Sequence, residues 1–489
     1  MIAAYAAAVA IKPEPLEARM LVASGGAIVS VTPDGVRTPL LSDAQDAAYS
    51  PDGTFVAFAR GGDLWLANSD GSGQRRLAAT PNVDEWGPSW LPDGKSFVYT
   101  ARVEGRRTIR VFQLPTGPSK RLAASDGDEY GAAVSTSGRL AFVSTRTGTP
   151  VVYSADANGV DASAFSASPP ATPFLDVHDL AWSPDSRKLA YDVKLEDGTA
   201  PLVVDDGVTQ LMLPIGALPV WSPTGTRIAF ADAAASLASV AADGTDLRAL
   251  GPGVPLDWRR VPVGTPEFPN LVQRPPSGLV VSASHGRWHL GFTSMVDNRG
   301  PGVLWIRGTR APGSHVMEVR QLVQLASGAT RVDQQSGELH YVVAPPHYHW
   351  HMIGFDHYEL RSAADFKLLV RDRKSGFCLA DHYGGAIGVP HGPPRFLGHC
   401  KQFDPKARRV EEGSSVGYTD RYPAFFHGQS VDITKVKAGL YWLVHRANPD
   451  FHLRETEYDD NAASLLVRIA WDEGTPRVTP LRACGRERC

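Results

Sequence analysis

The chain has 489 residues, with 49 Lys and Arg against 52 Asp and Glu, so its formal net charge at pH 7 is −3. This length is enough for two domains that each bury a hydrophobic core. Because no basic run is sustained, the sequence gives no electrostatic support for nucleic-acid binding. No apolar stretch reaches the roughly 18 residues that a transmembrane helix needs, so we expect no membrane-spanning segment.

Residues 1–19 are similar to part of a secretory signal segment. They contain a short apolar run and an Ala8-Val9-Ala10 triplet like those that precede a cleavage site, but they lack the positively charged start of a signal peptide. We interpret residues 1–19 as the remnant of a signal segment, as would result from a start assigned too late.

A turn motif of the Ser-Pro-Asp-Gly type recurs five times in the first half of the chain. The motifs begin at residues 50, 91, 135, 183 and 222, so their starts are 41, 44, 48 and 39 residues apart. An apolar strand pattern follows each turn, and Pro and Asp-Gly pairs supply the tight turns between strands. This period is the length of one four-stranded blade of a β-propeller. The pattern resembles propellers of the TolB type, whose blades open on a similar Trp-Ser-Pro-Asp-Gly.

The two ends of this region together predict one more blade. Residues 256–258 have the pattern of an opening strand without its own blade, whereas residues 20–41 contain strands without an opening strand. Pairing the two would close the ring. The sequence therefore predicts a propeller of about six blades over residues 20–262, with seven blades as the alternative. Trp90, Trp182 and Trp221 are expected to pack between blades.

A proline-rich segment, residues 263–278, separates this region from the rest of the chain. Dense proline favours an extended connector, so we expect a linker here. The C-terminal domain would then span residues 279–489.

Three histidines alternate near the middle of the C-terminal domain, at His347, His349 and His351. Alternate side chains of a β-strand point to one face, so the three imidazoles would converge while Tyr348 and Trp350 point to the other face. Three imidazoles with one open coordination position are typical of catalytic zinc or copper sites. The alternative is a histidine-rich strand or loop without a ligand.

The triplet and the motifs that follow it resemble the catalytic domain of the lysyl oxidases, copper amine oxidases whose quinone cofactor is made from their own lysine and tyrosine. The resemblance extends weakly over residues 269–469, and it implies a lysyl-oxidase-like β-sandwich. Together with the propeller predicted from the repeated turns, the chain would be all-β. The specific motifs of the resemblance are the histidine triplet followed by His357-Tyr358-Glu359-Leu360, Lys374 followed by Phe377-Cys378-Leu379 and Asp381, and Tyr422 before Asp432-Ile433-Thr434.

The resemblance implies oxidation of primary amines to aldehydes by dioxygen, with release of ammonia and hydrogen peroxide. Copper(II) would be held by the three alternating histidines, and a lysine tyrosylquinone would form from Lys374 and Tyr422. Copper with dioxygen can oxidise a tyrosine ring, whereas zinc has no redox chemistry. His357 is the expected base, with orientation of a metal ligand as its alternative role. Asp381 and Asp432 are further acidic candidates, and both could equally be structural turn residues.

An acidic loop near the C-terminus predicts a second ion. Its carboxylate and amide oxygens are ligands that calcium prefers, and the resemblance implies a structural calcium there. A solvated acidic loop is the alternative. The expected ligands are Asn270, Glu455, Glu457, Asp460 and Asn461.

All four cysteines lie in the C-terminal domain, at Cys378, Cys400, Cys484 and Cys489. Four cysteines allow three pairings. The resemblance implies a Cys378–Cys400 disulfide, which would leave Cys484 to pair with Cys489. Two disulfides indicate an oxidising compartment, so we expect a secreted, cell-surface or periplasmic protein.

Two functions follow from these observations. In the first, the chain is a copper amine oxidase that acts on lysine-containing proteins or small amines, and the propeller binds substrate, a protein partner or cell wall. In the second, the propeller performs the binding, and the C-terminal domain is a metal-stabilised module without turnover. A hydrolytic zinc enzyme is a third, more distant interpretation.

Overall fold

The chain divides into two compact units, Pro15–Val263 and Gly264–Cys489. The computed structural model describes residues 16–489 except residues 78–82, 116, 118, 123–124, 167–173, 345–346, 372–375, 385–387, 398 and 427. Every regular element in the described residues is a β-strand. The same residues therefore contain no helix long and apolar enough to cross a membrane. The interpretation of residues 1–19 falls mostly outside the described part of the chain.

Residues 16–262 contain twenty-four described strands. In chain order they are β1 (Leu16–Ser24), β2 (Ala27–Val31), β3 (Arg37–Ser42), β4 (Gln45–Tyr49), β5 (Phe55–Arg60), β6 (Asp63–Asn68), β7 (Arg75–Arg76), β8 (Asp84–Trp90), β9 (Ser96–Val103), β10 (Arg106–Gln113), β11 (Lys120–Arg121), β12 (Glu129–Val134), β13 (Leu140–Ser144), β14 (Val151–Ala155), β15 (Ser163–Ala164), β16 (Asp176–Trp182), β17 (Leu189–Lys194), β18 (Leu202–Asp205), β19 (Gln210–Leu213), β20 (Ala217–Trp221), β21 (Arg227–Ala231), β22 (Ser236–Ala241), β23 (Arg248–Pro252) and β24 (Val254–Pro262).

In this part of the described chain the strands form six four-stranded antiparallel sheets. Five sheets follow chain order from β4 to β23, and the sixth has the order β24-β1-β2-β3. The strands β4, β8, β12, β16, β20 and β24 contact one another in that order, and β24 contacts β4. This cyclic contact between the leading strands is the arrangement of a β-propeller.

The pairing expected between the two ends of the unit is present. β24 pairs with β1, with Trp258 opposite Met20. β1 starts at Leu16, four residues before the expected start of the propeller, because Leu16 also pairs with Pro262 at the end of β24. The C-terminal strand thus completes the N-terminal sheet.

Tryptophans connect neighbouring sheets, as predicted. The indole N–H of Trp90 donates to the Ala48 carbonyl at 3.0 Å, and Trp182 donates to the Ala133 carbonyl at 3.2 Å. Trp221 donates likewise to the Ala181 carbonyl, at 3.1 Å. All three rings are buried. Each therefore fills space between two sheets and satisfies its polar N–H there.

The leading strands line a cavity of about 480 Å³ at the centre of this unit. Five of them carry a β-bulge with a positive-φ residue at the same place. These residues are Asp46, Gly87, Gly131, Asp179 and Leu218. Burial and the neighbouring Asp192 raise the pKa of Asp179 to about 8. The cavity wall thus holds a carboxyl group that keeps its proton to higher pH than an exposed aspartate.

Residues 264–489 contain seventeen described strands. They are β25 (Pro266–Glu267), β26 (Leu271–Gln273), β27 (Ser277–Ser284), β28 (Arg287–Asn298), β29 (Leu304–Thr309), β30 (Val316–Leu325), β31 (Thr330–Ala344), β32 (His347–Met352), β33 (Asp356–Ser362), β34 (Leu368–Arg371), β35 (Tyr383–Gly384), β36 (Arg409–Ser414), β37 (Tyr418–Tyr422), β38 (Ser430–Asp432), β39 (Gly439–Ala447), β40 (Ala462–Asp472) and β41 (Thr475–Cys484).

These strands form three antiparallel sheets in the described part of the unit. The first runs β32-β31-β30-β29-β36 with β25 beside β30, and the third runs β34-β33-β39-β40-β41. The second runs β26-β28-β37-β35, and both β27 and β38 also pair with β28. Side chains from all three sheets meet in one hydrophobic core, which includes Trp350, Tyr358 and Tyr422.

The segment 263–278 differs from the linker that we expected. Pro266 pairs with Leu325 in β30, and Leu271 pairs with Asn298 in β28. Phe268 and Leu271 are fully buried. Proline lacks a backbone N–H but keeps its carbonyl, so proline-rich chain can still pair at a sheet edge. The segment is therefore part of the C-terminal unit.

Both expected disulfides are present. Cys378 is bonded to Cys400 with their Cα atoms 5.8 Å apart, and Cys484 is bonded to Cys489 with a Cα separation of 5.9 Å. Both separations lie in the usual range for disulfides.

Candidate active site

The alternating histidines lie on β32, as the sequence predicted. β32 pairs with β31, with His351 opposite His340. The rings of His349 and His351 have centroids 4.7 Å apart, and His351 is only 4% exposed. Trp350 between them is fully buried, and its indole donates to the Asp404 carbonyl at 3.1 Å. The backbone of His347 belongs to the same strand, while its side chain lies outside the described part of the structure.

The segment that follows Lys374 pairs with the end of the histidine strand. The Met352 N–H donates to the Phe377 carbonyl at 2.7 Å, and the Phe377 N–H donates to the Met352 carbonyl at 3.0 Å. A Cβ atom at Gly376 would lie 2.3 Å from the Met352 carbonyl oxygen, so only glycine allows this approach. Lys374 itself lies outside the described residues.

Tyr422, at the end of β37, packs against the same segment. Its ring meets the edge of Phe377 at a centroid distance of 4.5 Å, and its hydroxyl donates to the Cys378 carbonyl. Burial raises the pKa of the phenol well above its usual value, and the carboxylates of Asp420 and Glu412 act in the same direction. The unmodified tyrosine is therefore held as a neutral phenol.

The Cys378–Cys400 disulfide connects these elements further. Trp350 on the histidine strand donates its backbone N–H to the Cys400 carbonyl at 3.0 Å. Cys378 accepts the hydrogen bond from Tyr422. The disulfide thus joins a residue next to the histidines to the residue that holds the tyrosine hydroxyl. The histidine strand, the segment after Lys374 and Tyr422 consequently form one local structure.

His357 lies on β33 and is half-buried. Burial lowers the pKa of its imidazole, opposed by the charge of Asp450. The ring is therefore neutral at neutral pH and able to accept a proton. Its neighbour Tyr358 is buried and contacts Phe377 at a ring distance of 6.1 Å, so β33 packs on the core beneath the Tyr422 site.

The two other acidic candidates have structural partners. Asp381 accepts hydrogen bonds from the backbone N–H groups of Arg395 at 2.8 Å and Ser415 at 2.7 Å. Asp432 accepts from the Thr434 N–H at 2.9 Å and forms an ion pair with Arg287 at 3.2 Å. These contacts favour the turn-forming roles that the sequence left open.

A histidine–carboxylate pair that was not among the residues expected from the sequence lies beside Tyr422. His382 Nδ1 donates to Asp420 Oδ1 at 2.7 Å, and the His382 ring stands nearly perpendicular to the Tyr422 ring at 6.4 Å. The hydrogen bond to Asp420 raises the pKa of His382, and burial opposes it. The available signal was position, because His382 directly follows the motif of Lys374 and Asp420 lies two residues before Tyr422.

The amide and carboxylate oxygens expected to bind calcium partly come together. Asn270 donates its amide N–H to Asp460 Oδ2 at 3.0 Å. The Oδ1 atoms of Asn270, Asp460 and Asn461 are buried and have no hydrogen-bond partner among the described residues. Buried oxygens without a donor are expensive, and they are the ligands that calcium takes.

Glu455 lies fully buried beside these oxygens. Its carboxylate accepts from the Asn461 amide at 2.8 Å and from the Leu271 N–H at 2.7 Å, and burial raises its pKa to about 8. Glu457 lies instead at the exposed edge and accepts from the Tyr458 N–H at 3.0 Å. In the described part of the chain, no group of three or more His, Cys, Asp or Glu side chains is arranged to hold a metal ion.

Residues 319–479 match the sequence model of the lysyl oxidase family. The protein-lysine 6-oxidase of Sus scrofa is 31% identical over 123 residues, which are 25% of this chain and 44% of that protein. Lysyl oxidase homolog 2A of Danio rerio is 32% identical over 124 residues, 25% of this chain and 15% of that protein. The chain thus spans less than half of each of these relatives.

Solved structures are similar to the N-terminal half at low identity. TolB from Acinetobacter baumannii is 20% identical, with a TM-score of 0.42 over 51% of this chain and 68% of that chain. A chain of a nidogen–laminin complex is 12% identical, with a TM-score of 0.41 over 50% of this chain and 98% of that chain. These scores are too low to support an assignment, so the propeller rests on its strand pairing.

Proposed function

We propose that this protein, whose residues 319–479 carry a lysyl oxidase domain, is a copper- and quinone-dependent oxidase of primary amines. The amine would lose two electrons and two protons, one proton from its α-carbon and one from its nitrogen, and hydrolysis of the resulting C=N bond by water would release ammonia and leave an aldehyde. Dioxygen would take up the two electrons and two protons as hydrogen peroxide. Lysine side chains of a protein or small amines are the proposed substrates.

The observation that carries this proposal is the pairing of Phe377 with Met352. It brings the segment after Lys374 against the strand that bears His349 and His351. Tyr422 then packs on Phe377. The histidines would therefore lie close to both residues that form the cofactor, Lys374 and Tyr422. A binding module without turnover would not need this arrangement.

The residues fit the two groups that the proposed reaction requires. His347, His349 and His351 would hold copper(II), for which imidazole is a suitable ligand, and Lys374 and Tyr422 would form the lysine tyrosylquinone. Copper and the quinone would supply the redox chemistry and the carbonyl that condenses with the amine. Two observations support this fit. The rings of His349 and His351 lie together on one face of the strand, and His351 is buried between Trp350 and Met352, which belong to the same hydrophobic core as Tyr422.

The surrounding residues would position the tyrosine and move protons. The Cys378 carbonyl fixes the Tyr422 hydroxyl, while Phe377 and Phe426 pack on its ring at 4.5 and 6.0 Å. His357, kept neutral by burial, is the proposed base for the substrate's α-proton.

We further propose that Asn270, Glu455, Asp460 and Asn461 hold a structural calcium ion, with Glu457 at the edge of the site. The three buried oxygens without partners support this role. Calcium would neutralise the two carboxylates and thereby remove the cost of burying them.

The N-terminal unit is proposed to be a six-bladed propeller that binds substrate, a protein partner or cell wall. The six four-stranded sheets of the described residues and the contact of β24 with β4 support the blade number. A β-sandwich is the proposed architecture of the second domain, which would begin at residue 264 rather than 279. The two disulfides support a secreted, cell-surface or periplasmic location.

The experiment is peroxide release from the copper-loaded, aerated chain with butylamine and with a lysine peptide. We expect turnover, and we expect Tyr422→Phe to abolish it because phenylalanine cannot form the quinone. Tyr153→Phe, at a buried tyrosine of the propeller, is the matched control and should retain activity. Undiminished turnover by Tyr422→Phe would contradict the proposal and favour a different metal chemistry.

A further inference from the structure

A groove of about 1120 Å³ lies on the surface of the C-terminal unit. One wall is the turn between β27 and β28, and another is the end of β34. Residues 428–437, which include β38, form the third side. The arginine and lysine side chains that line it are exposed to solvent.

The groove is basic, although the whole chain carries a net negative charge. Asp432 is the only carboxylate among its described lining residues, and it already pairs with Arg287 at 3.2 Å. The basic side chains that line it are His285, Arg287, His289, Arg371, Lys435 and Lys437.

Two of these cations are open to an external partner. Arg371 pairs with Glu359 at 2.8 Å, and Arg287 pairs with Asp432. Lys435 and Lys437 are exposed, and neither forms an ion pair with a carboxylate in the described part of the chain. Their positive charge is therefore directed into the groove and the solvent, where it would attract an anion.

The groove adjoins the elements of the proposed active site. Arg371 ends β34, and residues 372–375, which contain Lys374, follow it in the chain. The groove residues Gly428 and Ser430 flank Gln429, which accepts a hydrogen bond from the Tyr358 hydroxyl at 2.8 Å. Tyr358 in turn contacts Phe377. The groove wall is thus connected through Gln429 and Tyr358 to the core that holds Tyr422.

We propose that this groove binds an acidic peptide segment next to the amine that is oxidised, so that lysines flanked by Asp or Glu are preferred substrates. The inference rests on the proposed amine oxidase function. Carboxylates of the substrate would pair with Lys435 and Lys437, while the lysine amine extends toward the site. Such complementary charge determines which partner is selected and how fast it is captured.

The test is the binding of a fluorescent peptide to the full-length chain, read by fluorescence anisotropy at low salt. The peptide carries Glu on both sides of a lysine, and a second peptide carries Gln instead. We expect the Glu peptide to bind about 10-fold more tightly and to lose this advantage at about 0.5 M salt. Combining Lys435→Glu with Lys437→Glu should remove the preference, and Lys435→Gln with Lys437→Gln should reduce it.

The matched control is Lys406→Glu, at an exposed lysine outside the groove, which should change the affinity less than about 2-fold. Equal binding of the Glu and Gln peptides, or a preference unaffected by the two charge reversals, would overturn the inference. Stronger displacement by polyphosphate than by the acidic peptide would also overturn it, because it would indicate a site for another polyanion.

Two readouts separate this inference from the function on which it rests. Anisotropy requires neither copper nor the quinone, and butylamine oxidation requires no acidic segment. Butylamine oxidation without a preference for the Glu peptide would overturn only the inference that the groove binds acidic segments. Selective binding of the Glu peptide without oxidation of any amine would overturn the proposed oxidase.

Discussion

Met352 and Phe377 exchange two backbone hydrogen bonds, of 2.7 and 3.0 Å. Met352 follows the last alternating histidine, and Phe377 lies three residues after Lys374. This isolated bridge joins the last residue of β32 to Phe377, which lies outside the regular strands, and connects two motifs that the sequence places more than twenty residues apart. It also brings Phe377 to the ring of Tyr422.

Gly376 is the residue that permits this pairing. Gly376→Ala would place a Cβ atom 2.3 Å from the Met352 carbonyl oxygen, and two backbones cannot separate without losing the hydrogen bonds. We expect the C-terminal unit to lose about 1–3 kcal/mol of stability, measured by thermal unfolding. Gly392→Ala is the control, since nothing lies within 4 Å of a Cβ there. Equal melting temperatures for both variants would contradict the described pairing.

The Cys378–Cys400 disulfide should matter more than the Cys484–Cys489 disulfide. The first closes a sequence separation of 22 residues and the second a separation of 5. Longer loops lose more entropy on closure, so replacing the first pair with serine should cost about 2–4 kcal/mol and replacing the second should cost less. Denaturant unfolding measures both. A larger loss from the C-terminal pair would show that this reasoning is wrong.

The His382–Asp420 pair predicts a specific titration. Because Asp420 raises the pKa of His382 in the folded chain, the pair stabilises the fold fully below the unfolded pKa of histidine. That stabilisation is lost as pH rises through the folded pKa. Asp420→Asn should lower the pKa of His382, observed by NMR, and flatten the stability profile in this range.

A control for this titration is His357, whose pKa is lowered mainly by burial. The pKa of His357 should not change in Asp420→Asn. If the pKa of His382 stays the same in this variant, the hydrogen bond does not cause the shift. A reduced rate of quinone formation in His382→Gln would indicate that His382 also transfers protons at Tyr422.

Calcium should stabilise the C-terminal unit, and more so as pH rises. Burial raises the pKa of Glu455 to about 8 and also raises that of Asp460. Without calcium, the protonated carboxyls favour the fold at low pH, and this contribution is lost as pH rises toward 8. Calcium binds the ionised carboxylates, so the shift in melting temperature on calcium addition should increase between pH 5 and 8.

Asp460→Asn tests the proposed calcium ligand, and Glu457→Gln at the exposed edge is its matched comparison. We expect the first to lose most of the response to calcium and the second to retain more of it. A wild-type melting temperature that responds neither to calcium nor to a chelator would contradict the site.

The sequence predicted the propeller because its evidence is local and repeated. Each turn motif supplies its own hydrogen bonds, as where Ser50 Oγ accepts from the Phe55 N–H at 3.0 Å. The strands after residue 20 lacked an opening strand, and this absence likewise predicted that the strand at Trp258 completes their sheet. The linker prediction was wrong because a high proline content indicates only that few backbone N–H groups can pair. It does not show that the side chains of Phe268 and Leu271 are buried in the C-terminal unit.

The candidate site was predictable only in part. The spacing of the histidines at every second residue predicted that they share one face of a strand, and this prediction needs only residues that are neighbours in the sequence. The partners of Asp420 and Glu455 come from distant segments, such as His382, 38 residues before Asp420 in the chain, and Leu271, 184 residues before Glu455. No local sequence pattern predicts such contacts. Only the family resemblance therefore predicted that Lys374 and Tyr422 act together.

The central claim is that Lys374 and Tyr422 become covalently joined. Trypsin cleaves after Arg373, Lys374 and Arg421, so in the unmodified chain Lys374 and Tyr422 fall in separate peptides and Tyr422 begins its own. Peptide mass spectrometry of copper-loaded, aerated protein should find one species that contains both peptides, has the mass of a lysyl–tyrosyl quinone and resists cleavage after Lys374. Two unmodified peptides from copper-replete protein would contradict the proposed oxidase.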